Sequence, residues 1–336
     1  MVSRYELRKS PTSPEKINGD FRGKDILSLD QFDGNSLELL FRATRSIEHI
    51  GRAPVASDLL KGHLAVLIFY EPSSRTRGSF EAAVKQLGGE TIVIENPQQF
   101  SSVAKGETLE DTIRTFEAYS DLIVLRHPVT GSLAKAADTA KFVPVINAGD
   151  GGQGEHPTQA LLDLYTIAQS TGKLDNLKGV LAGDMLNGRT VKSLIRGLAL
   201  YPGNTLYLLS PEELKLNRIE FEEFSKRGIV LIEISTEEDL PQDANFWYWT
   251  RVQKERFEDQ EEYERVKNRF ILTQDLLKQK GNPDLILMHP LPRVGEIDPE
   301  VDKDPRAVYL RSQVRNGMYV RMALLGLILG KEEYII

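Results

Sequence analysis

The run Glu71-Pro72-Ser73-Ser74-Arg75-Thr76-Arg77-Gly78-Ser79-Phe80 places hydroxyls and arginines where an apolar run ends and a helical pattern begins. His63–Tyr70 reads as a buried strand, and Phe80, Ala83, Val84 and Leu87 fall on one helix face. The first-turn N–H groups of a helix lack intrahelical partners, and the helix dipole favours negative charge there. Ser73 or Ser74 can cap this helix, and Arg75 can grip an anion bidentately. The same residues also describe a capped surface helix with a basic first turn. Taken alone, they do not choose between the two.

Further polar groups stand at the ends of expected strands, where ligands bind in parallel sheets. Arg126 and His127 end one strand, and His156 and Gln159 open a helix. Arg189 follows the turn Gly183-Asp184-Met185-Leu186-Asn187-Gly188. Arg251 and Gln253 follow another strand, and His289-Pro290-Leu291-Pro292-Arg293 ends the last one. Lys105-Gly106-Glu107-Thr108 precedes a helix. Each has a plain structural reading as well. Arg126 and Arg251 suit ion pairs, Arg251 with Glu255 or Asp259. His156 suits a helix cap, Arg189 a bond to nearby carbonyls, His289 a satisfied core position and Lys105 a solvated loop. Together they put several cations at strand ends of a chain whose net charge is −7. That pattern favours small substrates carrying several negative charges.

The 336 residues exceed one ordinary core, so two domains are expected. With 40% hydrophobic and 27% charged residues, the composition is that of a globular protein. An acidic chain of pI near 5.5 offers no overall attraction to phosphate backbones, and no nucleic-acid partner is expected. The chain has no cysteine, which removes disulfides, thiolate nucleophiles and thiolate metal sites. Its five histidines are scattered, so no metal is expected. The turn at Gly183 lacks G-x-G-x-x-G spacing, and neither a Walker A sequence nor a G-x-S-x-G elbow occurs. No apolar run is long enough to span a membrane. Residues 1–21 read as a loose polar arm on a cytoplasmic protein, although a processed organellar enzyme would look the same.

Strand-like and helix-like stretches alternate almost throughout. This implies an α/β fold of two doubly wound domains, each with about four parallel strands flanked by helices. The seam is expected at the glycine-rich break Gly149–Gly154, with the helix from His156-Pro157 connecting the domains. That gives domains at 1–155 and 156–315. The apolar final helix, within 316–336, is expected to pack back on the first domain. The charged segment Gln253–Arg269 reads as a solvated loop or helix.

Ser73-Ser74-Arg75-Thr76-Arg77 resembles the Ser-Thr-Arg-Thr-Arg phosphate signature of the transcarbamoylases, and His156-Pro157-Thr158-Gln159 resembles their second signature. The segments at Lys105, Arg126, Arg189, Thr250–Arg256 and His289–Arg293 are similar to the remaining active-site segments of the aspartate branch of that family. Order and spacing agree from about Asp25 to Leu329. Ornithine-specific members usually carry cysteine where Pro290 stands, and Arg251 with Gln253 suits an anionic side chain better than a cationic one. Ser74 departs from the commoner threonine but keeps the hydroxyl.

The resemblance implies transfer of the carbamoyl group of carbamoyl phosphate to the amine of L-aspartate, without cofactor, metal or covalent intermediate. The products are N-carbamoyl-L-aspartate and phosphate. An ornithine-type acceptor or a catalytically silent regulatory paralogue is the alternative. It further implies that Ser73, Ser74, Arg75 and Thr76 hold the phosphate, and that Thr76, Arg126 and His156 surround the carbonyl oxygen. Gln159 and the carbonyls of Pro290 and Leu291 would hold the carbamoyl NH2, with the Leu291–Pro292 bond, in cis, fixing their direction. Arg189 would take the α-carboxylate of aspartate, and Arg251 with Gln253 its side-chain carboxylate. Ser101 and Lys105 would come from the neighbouring subunit of a homotrimer with shared sites, Lys105 also touching aspartate. Whether a regulatory chain or dihydroorotase joins the assembly stays open.

Overall fold

The apolar run that precedes the serine-arginine turn folds as β1 (Leu64–Phe69), buried at every position after Leu64. Continuous burial is what a strand covered on both faces requires. This is a computed structural model; it describes residues 14–152, 154–254, 257 and 259–336. In it, residues through Leu161 together with Gly317–Ile336 form one unit, and Leu162–Asn316 form a second.

The first unit opens with helix α1 (Gly34–Arg52), whose N-cap Asp33 accepts from the Ser36 amide. After β1 come α2 (Ser74–Gln86), β2 (Glu90–Glu95), the short α3 (Pro97–Phe100), α4 (Leu109–Glu117), β3 (Leu122–His127), α5 (Ser132–Thr139) and β4 (Val145–Asp150). The four strands are parallel in the order β2-β1-β3-β4. Val66, Ile68, Ile123 and Leu125 on the sheet pack with Ile113 of α4 and Leu133 of α5. The N-terminal segment is not loose where it is described. Ile17 and Phe21 are buried, Ile17 N–H donates to the Gln31 carbonyl at 2.9 Å, and the Phe21 and Phe32 rings lie 6.0 Å apart. Residues 1–13 of the expected arm lie outside the described residues.

Helix α6 (Pro157–Thr171) runs from the first unit into the second, which continues with β5 (Lys178–Ala182), α7 (Arg189–Leu198), β6 (Thr205–Leu209), α8 (Arg218–Lys226), β7 (Val230–Ile234), β8 (Phe246–Trp249), α9 (Gln260–Val266), α10 (Gln274–Lys280) and β9 (Ile286–Met288). Five strands rather than four pair in parallel, in the order β7-β6-β5-β8-β9. Trp247 and Trp249 are fully buried in its core with Leu277, Leu287 and Tyr309.

Helix α11 (Ser312–Ile328) starts before the apolar stretch expected as the last helix, and α12 (Glu332–Ile335) follows it. Its residues from Gly317 onward belong to the first unit. An ideal Cβ at Gly51 would stand 2.5 Å from the Tyr319 ring, so α1 and α11 cross closely at this glycine. Among the described residues no helix is long and apolar enough to cross a membrane.

Candidate active site

In open parallel sheets the strand order reverses at one point, and the crevice there is where ligands bind. The first sheet reverses between β1 and β3, the second between β5 and β8. Ser73–Thr76 follow β1, Arg126 lies at the end of β3, and Arg189 and Arg251 follow β5 and β8; Ser101 and Lys105 come after β2, His156 and Gln159 after β4, and Pro290 and Leu291 after β9.

In the first unit Phe69 stands beside Arg126 in the β1–β3 register, so both chain exits leave the sheet together. Beyond β1 the chain enters α2 through Ser73. Ser73 is the N-cap residue, but its side chain makes no capping hydrogen bond, contrary to the sequence expectation. Its ψ of 81° lies off the extended region that a capping hydroxyl needs. Ser74 and Arg75 are exposed, whereas Thr76 is buried. The second arginine of the run, Arg77, is committed to structure, pairing with Glu81 at 2.9 Å and Glu95 at 2.7 Å.

The Thr76 hydroxyl meets His156 Nε2 at 3.4 Å, and both residues are buried. Pro157 is the first residue of α6, and the His156 carbonyl accepts from Gln159 N–H at 3.0 Å. Backbone capping and ring placement are therefore separate roles of His156. Arg126 donates from Nη1 to the Ala148 carbonyl at 3.2 Å and faces Glu71 at 3.1 Å through Nη2. Burial pulls its guanidinium below the usual arginine range; Glu71 opposes that, and Arg75 adds a like-charge push. Positive charge gathered at these two chain exits favours an anion over the two guanidiniums. Gly149 makes room for one of them, since at φ +134° its ideal Cβ would lie 2.8 Å from Arg126 Nη1. Ser101 caps a short 3-10 turn, accepting from Val103 N–H at 3.1 Å, and Lys105 ends that turn exposed.

In the second unit Ala182 stands beside Trp249 in the β5–β8 register. Gly183 then passes so close to Thr250 that an ideal Cβ would lie 2.2 Å from its carbonyl oxygen, at φ +115°. Asp184, fully buried, ties the two chain exits together. Its Oδ1 accepts from Asn187 N–H at 2.8 Å, and its Oδ2 accepts from Gln253 N–H at 3.3 Å. Burial raises its carboxyl above the usual range, and these hydrogen bonds work against that. The Gln253 side-chain amide donates to the Asn187 carbonyl at 2.8 Å, and Arg189 begins α7 two residues on. Arg251 and Arg189 are half-buried. Glu255 and Arg256 of the matching segment lie outside the described residues.

The segment after β9 is bent at Leu291, whose φ is +56°, and the Leu291–Pro292 peptide is cis. His289 Nδ1 accepts from Leu291 N–H at 2.8 Å, while Nε2 meets Glu296 at 2.6 Å. Burial holds the imidazole below its usual range against the opposing pull of Glu296, and the positive charges of Arg293 and Arg251 add to the lowering. The expected segment Pro290-Leu291 follows directly on this buried imidazole.

The turn at Gly183 and the run from Glu71 are visible in the sequence, but the ties of Asp184 to Gln253 and of Glu71 to Arg126 are not. Both act on residues far along the chain. The only local hint was an acidic residue directly after a strand. Among the described residues no cluster of histidine and carboxylate groups could hold a metal ion.

Two family models match the chain. The carbamoyl-phosphate-binding domain of aspartate/ornithine carbamoyltransferases matches residues 24–169, and the Asp/Orn-binding domain matches residues 175–328. Aspartate carbamoyltransferase 1, chloroplastic, of Pisum sativum is 49% identical over 93% of this chain and 80% of its own. The aspartate carbamoyltransferase catalytic subunit of Thermococcus gammatolerans is 46% identical over 93% of this chain and 99% of its own. A crystal structure of Trypanosoma cruzi aspartate transcarbamoylase with carbamoyl phosphate and aspartate superposes with a TM-score of 0.84. It shares 34% identity, covering 95% of this chain and 100% of that one.

Proposed function

The chain belongs to the aspartate/ornithine carbamoyltransferase family, and we propose the following division of its chemistry. The reaction is transfer of the carbamoyl group of carbamoyl phosphate to the amine of L-aspartate. It yields N-carbamoyl-L-aspartate and phosphate, an early step of pyrimidine biosynthesis. Relatives 49% and 46% identical over 93% of this chain carry the aspartate name, which favours aspartate over ornithine as acceptor.

The observation that carries the assignment of roles is the meeting of Thr76 and His156 at 3.4 Å beside the β1–β3 exit that bears Arg126. Donors from three segments can converge there on one oxygen. The phosphate rests on the N-terminus of α2 against Ser73, Ser74, Arg75 and Thr76, with Arg126 in support. The aspartate amine, in its neutral form, attacks the carbamoyl carbon. Negative charge then grows on the carbonyl oxygen, where Thr76, Arg126 and His156 stabilise it. A donor of this kind typically contributes about 100- to 1000-fold in rate. The carbon–oxygen bond to phosphate breaks, the phosphate keeps that electron pair, and it accepts the proton shed by the amine. Gln159 and the carbonyls of Pro290 and Leu291 orient the carbamoyl NH2. Arg189 takes the α-carboxylate, and Arg251 with Gln253 the side-chain carboxylate. The protein contributes position and fixed charge, and no covalent step.

Ser101 and Lys105 complete a neighbour's site in a homotrimer. Lys105 supports this reading by ending an exposed turn. A cytoplasmic setting remains our reading of the sequence, against the chloroplastic name of the plant relative. Fractionation of cells expressing a tagged chain separates the two.

The decisive assay supplies carbamoyl phosphate with aspartate or with ornithine and identifies the product. Carbamoyl-aspartate formation is expected; citrulline alone would overturn the reading. Mixing inactive Lys105→Ala and Arg75→Ala chains should restore part of the activity, and no recovery would remove the shared site.

A further inference from the structure

Arg321 of α11 is buried, with only 3% of its surface exposed. Its Nη1 donates to the Ser79 hydroxyl at 3.0 Å and to the Gly317 carbonyl of its own helix at 3.1 Å. Its Nη2 donates to the Thr158 hydroxyl at 3.3 Å. The guanidinium also lies over the Phe80 ring, 5.0 Å from its centroid. Ser79 and Phe80 sit about one turn after Thr76 on α2, and Thr158 lies two residues after His156 at the start of α6. One planar fork therefore grips, from behind, both helix starts that bring Thr76 and His156 to 3.4 Å.

We propose that Arg321 is a positioning residue for the carbamoyl phosphate half of the site. It sets the spacing of α2 and α6 so that Thr76 and His156 aim at one oxygen. The proposal rests on the roles given above to those two residues. The guanidinium suits this task because its donors point in fixed directions from one rigid plane. An ammonium in the same place is a single point from which two hydroxyls on different helices cannot both be reached in the same geometry. Small errors here are costly, since a displacement of about 1 Å at a reacting centre lowers rates by about 100-fold.

The test compares Arg321→Lys with the double variant Ser79→Ala/Thr158→Val, which keeps the arginine and removes both hydroxyls. Arg321→Lys should lower kcat by about 10- to 100-fold and weaken carbamoyl phosphate binding in calorimetry. The double variant should shift both in the same direction by a smaller factor. The Nε2 resonance of His156 in protein carrying 15N-labelled histidine should move in both. Adding Arg321→Lys to the double variant should lower kcat by less than it does alone, because the hydroxyls act through the fork. If Arg321→Lys does not fold, the double variant and its His156 resonance decide the matter. A lower melting temperature with kcat, carbamoyl phosphate affinity and the His156 signal unchanged would overturn the proposal. Thr76→Val and His156→Ala serve as controls. If these two leave kcat intact, the underlying site assignment has failed; if they abolish it while the Arg321 and hydroxyl variants do nothing, only the positioning role has failed.

Discussion

Leu291 N–H donates to Nδ1 of His289 at 2.8 Å. A ring nitrogen that accepts from an amide carries no proton, so the imidazole proton is on Nε2 and is donated to Glu296 Oε1 at 2.6 Å. The other Glu296 oxygen accepts from Val294 N–H at 2.9 Å. Burial works against ionisation of Glu296, yet the hydrogen bond from His289 keeps its carboxyl below the usual range. This pair thus ties the loop on both sides of the left-handed Leu291, to the Leu291 and Val294 amides.

His289→Leu should therefore cost more than the packing it removes. It takes from the buried Glu296 carboxylate the hydrogen bond of Nε2 and repacks the ring's site, together about 3–5 kcal/mol. Glu296→Gln retains an acceptor for Nε2 and should cost only about 1.5–3 kcal/mol. The two tryptophans, Trp247 and Trp249, both lie in the core of the second unit, so urea unfolding followed by fluorescence reads that unit selectively. Equal losses in the two variants would show that the carboxylate's lost hydrogen bond is not the source of the cost.

Asp184→Asn should raise the KM for aspartate about 10- to 100-fold, the usual worth of a hydrogen bond to a charged group. The carboxylate accepts from Asn187 and Gln253 together, and the substituted amide offers one oxygen where two are used. Carbamoyl phosphate affinity should be unchanged, because its phosphate ligands belong to the other unit and Asp184 bonds to Asn187 and Gln253, not to the Pro290–Leu291 segment. Calorimetry that shows carbamoyl phosphate binding falling alongside would remove Asp184 from this role.

Strands were legible where burial on both faces writes an unbroken apolar run, as in β1, which lies within the stretch His63–Tyr70 that the sequence marks as a strand. Arg126 and Arg251 were legible for the same reason, each being the first charged residue after such a run. The ties behind them were not. Asp184 reaches Gln253 across 69 positions, and Arg321 reaches Ser79 across 242, separations at which no local pattern records a contact. Helix α10 escaped notice because seven residues rich in lysine and glutamine show little periodicity. The expected serine cap failed on a backbone angle that composition does not carry.

Acid should unfold the second unit partly through Asp302. Arg293 grips both of its oxygens, at 2.5 Å and 2.9 Å, and the Tyr309 hydroxyl donates to it. The hydrogen bonds from Arg293 hold its carboxyl below the usual range. A group whose folded pKa is depressed contributes stability that is complete above its unfolded value, near 3.8, and lost as pH falls through the lower folded one. Asp302→Asn should therefore lower stability at neutral pH and flatten its fall below about pH 4. Tryptophan fluorescence against pH measures both; an acid limb as steep as in the parent would assign the transition to other carboxylates.

Asn204 supports the β5–α7 region from below. It is fully buried at the entry to β6, where its Oδ1 accepts from Leu177 N–H at 2.9 Å. Its amide donates to the carbonyls of Leu174, Leu198 and Tyr201 at 2.8, 2.9 and 3.3 Å. One side chain thus joins the approach to β5 with the end of α7, the helix that begins at Arg189. Asn204→Ala leaves these backbone groups without partners and should cost about 3–5 kcal/mol in the fluorescence transition. Asn204→Asp is nearly the same shape but turns an anion toward three carbonyl oxygens. It should be the worse variant at pH 7. Burial and the carbonyls would raise the folded pKa of the new carboxyl, so this variant should regain stability relative to the alanine variant as pH falls. If the two variants kept the same order and gap from pH 7 to pH 5, repulsion by the carbonyls would not be what makes asparagine necessary here.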